Sequence, residues 1–85
     1  MKQLVKDVEN EGMMALLGKR ITVFCLNYIY TGNLVGVNTE FIKLEEAAIV
    51  YETGDFADKK WKDAQSLINP VYIMLSTIES FMILK

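Results

Sequence analysis

The chain has 85 residues, of which 52% are hydrophobic and 24% are charged, and its formal net charge is −2. This length predicts one domain, residues 1–85. A domain of this size buries only about 60–65% of the surface that its unfolded chain exposes. The high apolar content therefore predicts that a second subunit covers part of the surface. The slightly acidic balance argues against broad phosphate binding but leaves room for a local basic site.

The residue types present also exclude several chemistries. The sequence has no histidine, no cluster of metal-ligating residues and no glycine-rich phosphate loop, so we expect no enzyme activity, metal or cofactor. Cys25 is the only cysteine and is expected in the core. No charged start leads into an apolar run with a small-residue cleavage site, and no apolar run reaches the length of about 20 residues that spans a bilayer. These observations predict a cytoplasmic protein without a membrane partner.

The first part of the chain changes from a helical to a strand pattern. Apolar residues recur at spacings of three and four, which predicts an α-helix over residues 2–12, ending at Gly12. From Lys19 onwards apolar residues alternate, and both faces of the segment are largely apolar. We therefore expect a first strand over residues 19–26 with cover on each side.

The second strand, expected over residues 29–38, contains two glycines. Glycine weakens a strand interior but permits a bend or bulge. Gly32 and Gly36 are therefore interpreted as bending points of a strand that curls round a small barrel; a weak edge strand is the alternative. In the third strand, expected over residues 41–52, the apolar phase slips at positions 45–46. Such a slip predicts a bulge or a sharp bend.

The remaining sequence predicts a long loop and two short strands. Residues 53–70 are the most polar stretch and are interpreted as an excursion with one helical turn at residues 58–66. Strands are expected over residues 71–76 and 80–84. The order of elements predicts a mainly β protein, with an N-terminal α-helix followed by a strongly bent, five-stranded antiparallel SH3-like barrel.

The segment LLGKRITVFCLNYIYTGNL, residues 16–34, resembles the first motif of the Sm-like family. In that family a short helix leads into a glycine, a basic residue and alternating aliphatic residues, and a tyrosine, a glycine and a leucine follow at alternate positions. The residues that match this motif are Gly18, Lys19, Ile21, Val23, Tyr30, Gly32 and Leu34. The resemblance implies the Sm-like fold and assembly with copies of the same chain into a closed ring, of about five to seven subunits.

The last two strands are the expected contacts between subunits. In Sm-like rings the fourth strand of one subunit pairs with the fifth strand of its neighbour. Both of these strands are apolar on each face here, and exposed edges of that kind aggregate unless another strand pairs with them. The resemblance and this pattern together predict an interface at Val71, Ile73, Leu75, Phe81 and Ile83.

Sm-like proteins commonly hold single-stranded, uridine-rich RNA around the pore of the ring. The resemblance implies candidate RNA contacts in two loops, at Asn38, Phe41, Ser76 and Thr77. Asn38 can hydrogen-bond a base edge and Phe41 can stack on a base, although Phe41 is equally a core residue at the start of the third strand. The family's asparagine position falls on Ile42. Ser76 and Thr77 stand where the family has arginine and glycine, so these positions supply no cation.

A second candidate RNA site is the run KKWK at residues 59–62. Lys59, Lys60 and Lys62 flank Trp61, a combination that suits backbone contact and base stacking. Nearby aspartates reduce the local charge, and an indole packed against the barrel is the alternative. The sequence thus suggests an RNA-associated, ring-forming Sm-like protein with altered uridine-site residues. A ring scaffold for protein partners that has lost RNA binding, and a monomeric SH3-like adaptor, are the other hypotheses.

Overall fold

A computed structural model describes residues 2–85 of the chain. These residues form a single antiparallel sheet with six strands, which confirms the mainly β prediction. The strands are β1 (Arg20–Cys25), β2 (Ile29–Val37), β3 (Phe41–Glu52), β4 (Asp63–Ser66), β5 (Val71–Met74) and β6 (Ile78–Met82). Two short 3₁₀ turns lie at Met14–Leu16 and at Leu75–Thr77.

The sheet is open, not a closed barrel. Its strand order is β4-β3-β2-β1-β6, and β5 also pairs with β3. The first residues of β3, from Phe41 to Leu44, pair with β5, whereas Ala48 to Glu52 pair with β4. Within residues 2–85, β6 pairs with β1 alone, so β5 and β6 each have one edge without a partner strand.

The expected irregularities in β2 and β3 are present. Between the pairs Thr31↔Ala48 and Asn33↔Glu45, β3 contains one residue more than β2. Glu46 within this interval has a φ of 48°, which marks a bulge in β3. A second shift in register follows, between Leu34 and Gly36, with the extra residue in β2. The slip at positions 45–46 is therefore confirmed as a bulge. Gly32 and Gly36 each lie at one of the two register shifts, and their role as bending points stays a prediction.

The core lies on one face of the bent sheet. Its buried members come from four strands and from the segment before β1: Met13, Ile21, Val23, Leu34, Ile42, Leu44, Ala47 and Ile73. Thr22, Thr31, Ala48 and Val50 are also buried but lie outside this cluster. Cover on both faces of β1 agrees with its apolar sequence.

The predicted helix over residues 2–12 is wrong. Within the described residues, this segment instead turns back on itself, with Val8 and Glu11 bonded to each other through their backbones. The Asp7 carboxylate accepts a hydrogen bond from the Met14 backbone N–H at 2.9 Å. Leu4 is 78% exposed, so the apolar side of the segment has no surface to pack on. A helix of about ten residues is marginal without such packing, and a local aspartate bond competes with it.

Two other boundaries also differ from the sequence-based expectation. The segment expected as a helical turn at residues 58–66 ends in a strand, since β4 pairs with the last part of β3. The strand expected over residues 71–76 stops at Met74, because the chain enters a 3₁₀ turn in which the Thr77 hydroxyl donates to the Met74 carbonyl at 2.8 Å. The last strand begins at Ile78 and ends at Met82.

Candidate functional site

A basic cleft of about 440 Å³ lies beside the loop that joins β3 to β4. Five cationic residues line it, together with one indole, one carboxylate and Ala64: Arg20, Lys59, Lys60, Trp61, Lys62, Asp63, Ala64 and Lys85. The sequence predicted residues 59–62 as a unit. It did not predict Arg20, at the start of β1, or Lys85, three residues beyond the end of β6.

The cations of the cleft differ in the hydrogen bonds and ion pairs that they form with neighbouring groups. Arg20 donates to the Glu46 carbonyl at 2.9 Å, so it is held against the bulge of β3. Lys62 Nζ lies 3.7 Å from Glu52 Oε2, and both side chains are largely exposed, so this ion pair is weak. Lys59 and Lys60 are exposed and form no ion pair with any of residues 2–85.

Lys85 holds the loop that carries the basic run. Its ammonium donates to the carbonyls of Thr53, Asp55 and Lys60, at 2.9, 2.9 and 3.1 Å. Lys85 Nζ also lies 4.6 Å from the centre of the Trp61 ring, within the range of a cation–π contact. Lys85 thus holds the half-buried indole within the cleft, and the indole is not packed in the central core.

The cleft combines the two elements that single-stranded nucleic acids require. Exposed lysines can neutralise phosphates, and an indole offers a surface on which a base can stack. Among the described residues that line the cleft, five are cationic and Asp63 is acidic, so the lining is positive although the whole chain carries −2. The Glu52 carboxylate beside Lys62 reduces this positive charge. The chain thus has a local cationic surface although its net charge is negative, and the sequence left room for such a local basic site.

Two other predicted RNA contacts, Asn38 and Phe41, lie at the turn between β2 and β3. The side-chain oxygen of Asn38 accepts hydrogen bonds from the backbone N–H groups of Glu40 and Phe41, both at 2.8 Å. This oxygen therefore shapes the turn, and the amide NH₂ is the part of Asn38 left to bind a base. Phe41 is half-buried and meets Tyr72 edge to face at 5.5 Å. Lys43 Nζ lies 5.7 Å from the centre of the Tyr72 ring.

Ser76 and Thr77 lie in the 3₁₀ turn between β5 and β6. This turn touches the β2–β3 turn, since the Leu75 N–H donates to the Glu40 carbonyl at 2.9 Å. Thr77 lines a cleft of about 300 Å³ together with Cys25 and three tyrosines, and Asn38 is not among the residues that line this cleft. The two turns are in contact, but Asn38 and Thr77 do not line a common pocket among those of the described residues.

The cleft beside Thr77 contains two groups with shifted acidity. Burial raises the pKa of the Cys25 thiol, and a hydrogen bond with Thr77 acts in the opposite direction. Burial also raises the pKa of Tyr30, with smaller effects of the same sign from Cys25 and Tyr28. Both groups are therefore neutral near pH 7, which suits a half-buried thiol that serves as a small apolar side chain.

The predicted interface residues divide between the core and the surface. Ile73 is only 4% exposed and belongs to the core, while Val71 and Leu75 are half-buried and pack against it. Phe81 and Ile83 are exposed. Because side chains alternate along β5, its outward-facing residues are instead Tyr72 and Met74, which the sequence analysis did not select. All four residues of VYIM are hydrophobic, so the sequence alone carries no signal that separates the inward from the outward face of β5.

None of the helices within residues 2–85 is long and apolar enough to cross a membrane. Comparison of the chain with protein-family models, with curated protein sequences and with solved structures gives no match.

Proposed function

We propose that this chain is a self-assembling, Sm-like protein that binds single-stranded RNA through the basic cleft around Trp61. The observation that carries this proposal is the convergence of cations from three separate parts of the chain on one cleft, which Trp61 also lines. In such a complex, contacts between cationic side chains and phosphates supply the electrostatic part of the affinity. Stacking on an aromatic ring binds an unpaired base without strong sequence preference.

The three lysines of the loop have the freedom that phosphate binding needs. Lys59 and Lys60 are exposed, and the surface ion pair of Lys62 exchanges readily for a phosphate contact. Asn38 and Phe41 offer a second, weaker contact surface, in which the Asn38 NH₂ donates to a base edge. Because the loop of Ser76 and Thr77 supplies no cation, most of the affinity is assigned to the cleft.

Self-assembly is proposed through the free edges of β5 and β6. These two strands take the places of the fourth and fifth strands of the Sm-like pattern. Each has one unpaired edge within the described chain, and Met74 and Met82 are exposed beside those edges. An edge of this kind pairs readily with another copy, and head-to-tail pairing that closes into a ring leaves no edge free.

A salt titration tests the RNA-binding proposal. Labelled oligo-U of about 12 nucleotides is titrated with the protein between about 50 and 200 mM salt. We expect binding that weakens with salt, and a Lys59→Gln/Lys60→Gln variant whose log-affinity slope is smaller by about 0.7 for each lost phosphate contact. The matched control is Lys2→Gln/Lys6→Gln, which removes the same charge from the exposed N-terminal segment.

Two results would overturn the proposal. One is the absence of binding at about 50 mM salt, where electrostatic attraction is strong. The other is an equal loss of affinity in the control variant, which would show that only net charge matters.

A ring scaffold for protein partners is the second candidate function. It is favoured by the exposed apolar side chains of Leu4 and Val5 before the first strand, and by the engagement of the Asn38 side-chain oxygen within its own turn. An assembly that fails to bind oligo-U at low salt supports this candidate. A single-subunit mass in light scattering contradicts both candidates.

A further inference from the structure

Lys85 is the most completely engaged cation of the basic cleft. An ammonium group has three N–H donors. Each of them has a carbonyl acceptor here, from Thr53, Asp55 and Lys60, within 3.1 Å of Lys85 Nζ. The Trp61 ring covers a further side of the same nitrogen, at 4.6 Å.

We propose that Lys85 is a positioning residue, which orders the basic loop for RNA without itself contacting a phosphate. This inference rests on the RNA binding proposed above. A phosphate would have to displace one of three carbonyls from Lys85, whereas Lys59 and Lys60 lie exposed on the same cleft. The direct contacts therefore belong to the loop lysines, and Lys85 acts through them.

The backbone carbonyl of Lys85 lies 3.4 Å from the hydroxyl of Thr31, which is buried in β2. This hydroxyl has a single proton, which it donates to the Ile21 carbonyl at 3.0 Å, so its contact with Lys85 is weak. The three hydrogen bonds of the Lys85 side chain are therefore what connects the loop to the segment after β6. Pre-ordering of a binding loop raises affinity because less conformational entropy is lost on binding.

The position of Lys85 also limits the binding stoichiometry. Its ammonium occupies one face of the Trp61 indole, so at most one face is left for a base. A base that stacks on the indole can use only the opposite face of the ring, so the site takes at most one unpaired base per chain. The phosphates that flank this nucleotide are bound by Lys59, Lys60 and Lys62.

Substitution of Lys85 separates positioning from direct contact. Lys85→Met removes the ammonium but keeps an unbranched chain. Lys85→Arg keeps the charge but cannot point three donors from one nitrogen at three converging carbonyls. Lys62→Met is the matched control for a direct phosphate contact. Each variant is titrated with oligo-U across the same salt range, and the fluorescence of Trp61, the only tryptophan, is recorded without RNA.

We expect both Lys85 variants to bind oligo-U about tenfold more weakly at every salt concentration, with an unchanged salt slope and a red-shifted Trp61 emission. Lys62→Met should keep the emission and reduce the slope by about 0.7. The proposal is overturned if Lys85→Met reduces the slope as Lys62→Met does, or if Lys85→Arg binds like the parent chain.

The role of Lys85 can also be tested if the proposed RNA binding is wrong. If the parent chain does not bind oligo-U, hydrogen exchange of the backbone amides in residues 53–62 still tests the role of Lys85. Faster exchange in both Lys85 variants, with no change in Lys62→Met, supports the ordering of the loop. Equal exchange in all three variants contradicts it, whatever the ligand.

Discussion

Gly32 of β2 and Ala47 of β3 lie so close that a side chain at the glycine would fit only if its neighbours moved by a few tenths of an ångström. A Cβ atom placed on Gly32 would lie 3.1 Å from both Cα and Cβ of Ala47, and also 3.1 Å from Leu44 Cβ. This contact occurs at the bulge, where two residues of β3 stand opposite Gly32. The glycine thus permits the close approach of two strands at the bend, which explains its presence in the longest hairpin of the sheet.

Substitution of the two strand glycines should have unequal effects on stability. We expect Gly32→Ala to lower the free energy of unfolding by about 1–3 kcal/mol, because the new methyl group overpacks the bulge. Gly36→Ala is the control, since its Cβ would lie 3.5 Å from its nearest neighbour, Lys43 Cβ, and should change stability by less than about 1 kcal/mol. Urea unfolding of both variants measures the difference. Equal losses would contradict the role of close packing at Gly32.

The sequence predicted the features of the sheet that depend on local pattern. The period of two located β1, β2 and β3 to within one or two residues at their ends, and the slip in apolar phase located the bulge at Glu46. The N-terminal segment has a helical pattern but lacks a surface on which to bury it, and that information is not local. β4 was missed because its four residues, DAQS, are all exposed and have no apolar periodicity.

The candidate site was predictable only in part, for a related reason. Residues 59–62 are consecutive, so the sequence alone identified them. Arg20 and Lys85 reach the same cleft because the order of strands brings three distant segments together, and the sequence pattern near either residue gives no indication of this. In β5, Ile73 was assigned to an interface because both faces of the strand are apolar, whereas its pairing with Ile42 places it in the core.

The two buried threonines of the β1–β2 pair should respond oppositely to loss of their hydroxyl groups. Thr22 and Thr31 stand opposite each other. The Thr31 hydroxyl donates to the Ile21 carbonyl at 3.0 Å, whereas the Thr22 hydroxyl has no partner among the described residues. We expect Thr22→Val to raise the free energy of unfolding by about 1 kcal/mol and Thr31→Val to lower it by about 1–2 kcal/mol. Thermal or urea unfolding measures both changes, and a loss of stability in Thr22→Val would contradict this assignment.

Cys25 should react slowly with thiol reagents at mildly alkaline pH. Its pKa is raised, mainly by burial, so less thiolate is present than in the unfolded chain. We expect slower alkylation by iodoacetamide at pH 8 in the folded protein than in urea, with the difference narrowing as the pH rises through the folded-state pKa. Equal rates in the folded and unfolded chains would contradict a shifted thiol.

The same shift makes stability depend on pH. A group whose pKa is higher in the folded chain binds its proton more tightly there, so its contribution is complete below the unfolded-state pKa and is lost as pH rises above it. For a thiol this loss begins near pH 8.5, and the raised pKa of Tyr30 adds a similar loss from about pH 10. Cys25→Ala should flatten the first part of the decline in urea unfolding and slightly reduce the second part, because Cys25 adds to the raised pKa of Tyr30.

A charge on the outer face of β5 should prevent self-assembly without unfolding the chain. Leu75 is unsuitable for this test, because it is half-buried and packs against the core. Met74 is 49% exposed beside the free edge of β5, so Met74→Lys places an ammonium against an incoming strand at little cost to the monomer. Light scattering should then give the mass of one subunit in place of a multiple. The control is Ile68→Lys, since Ile68 is 99% exposed and lies outside the strands, and this variant should keep the parent mass. An unchanged mass in Met74→Lys, with the fold intact by circular dichroism, would show that the free edge of β5 is not the contact between copies.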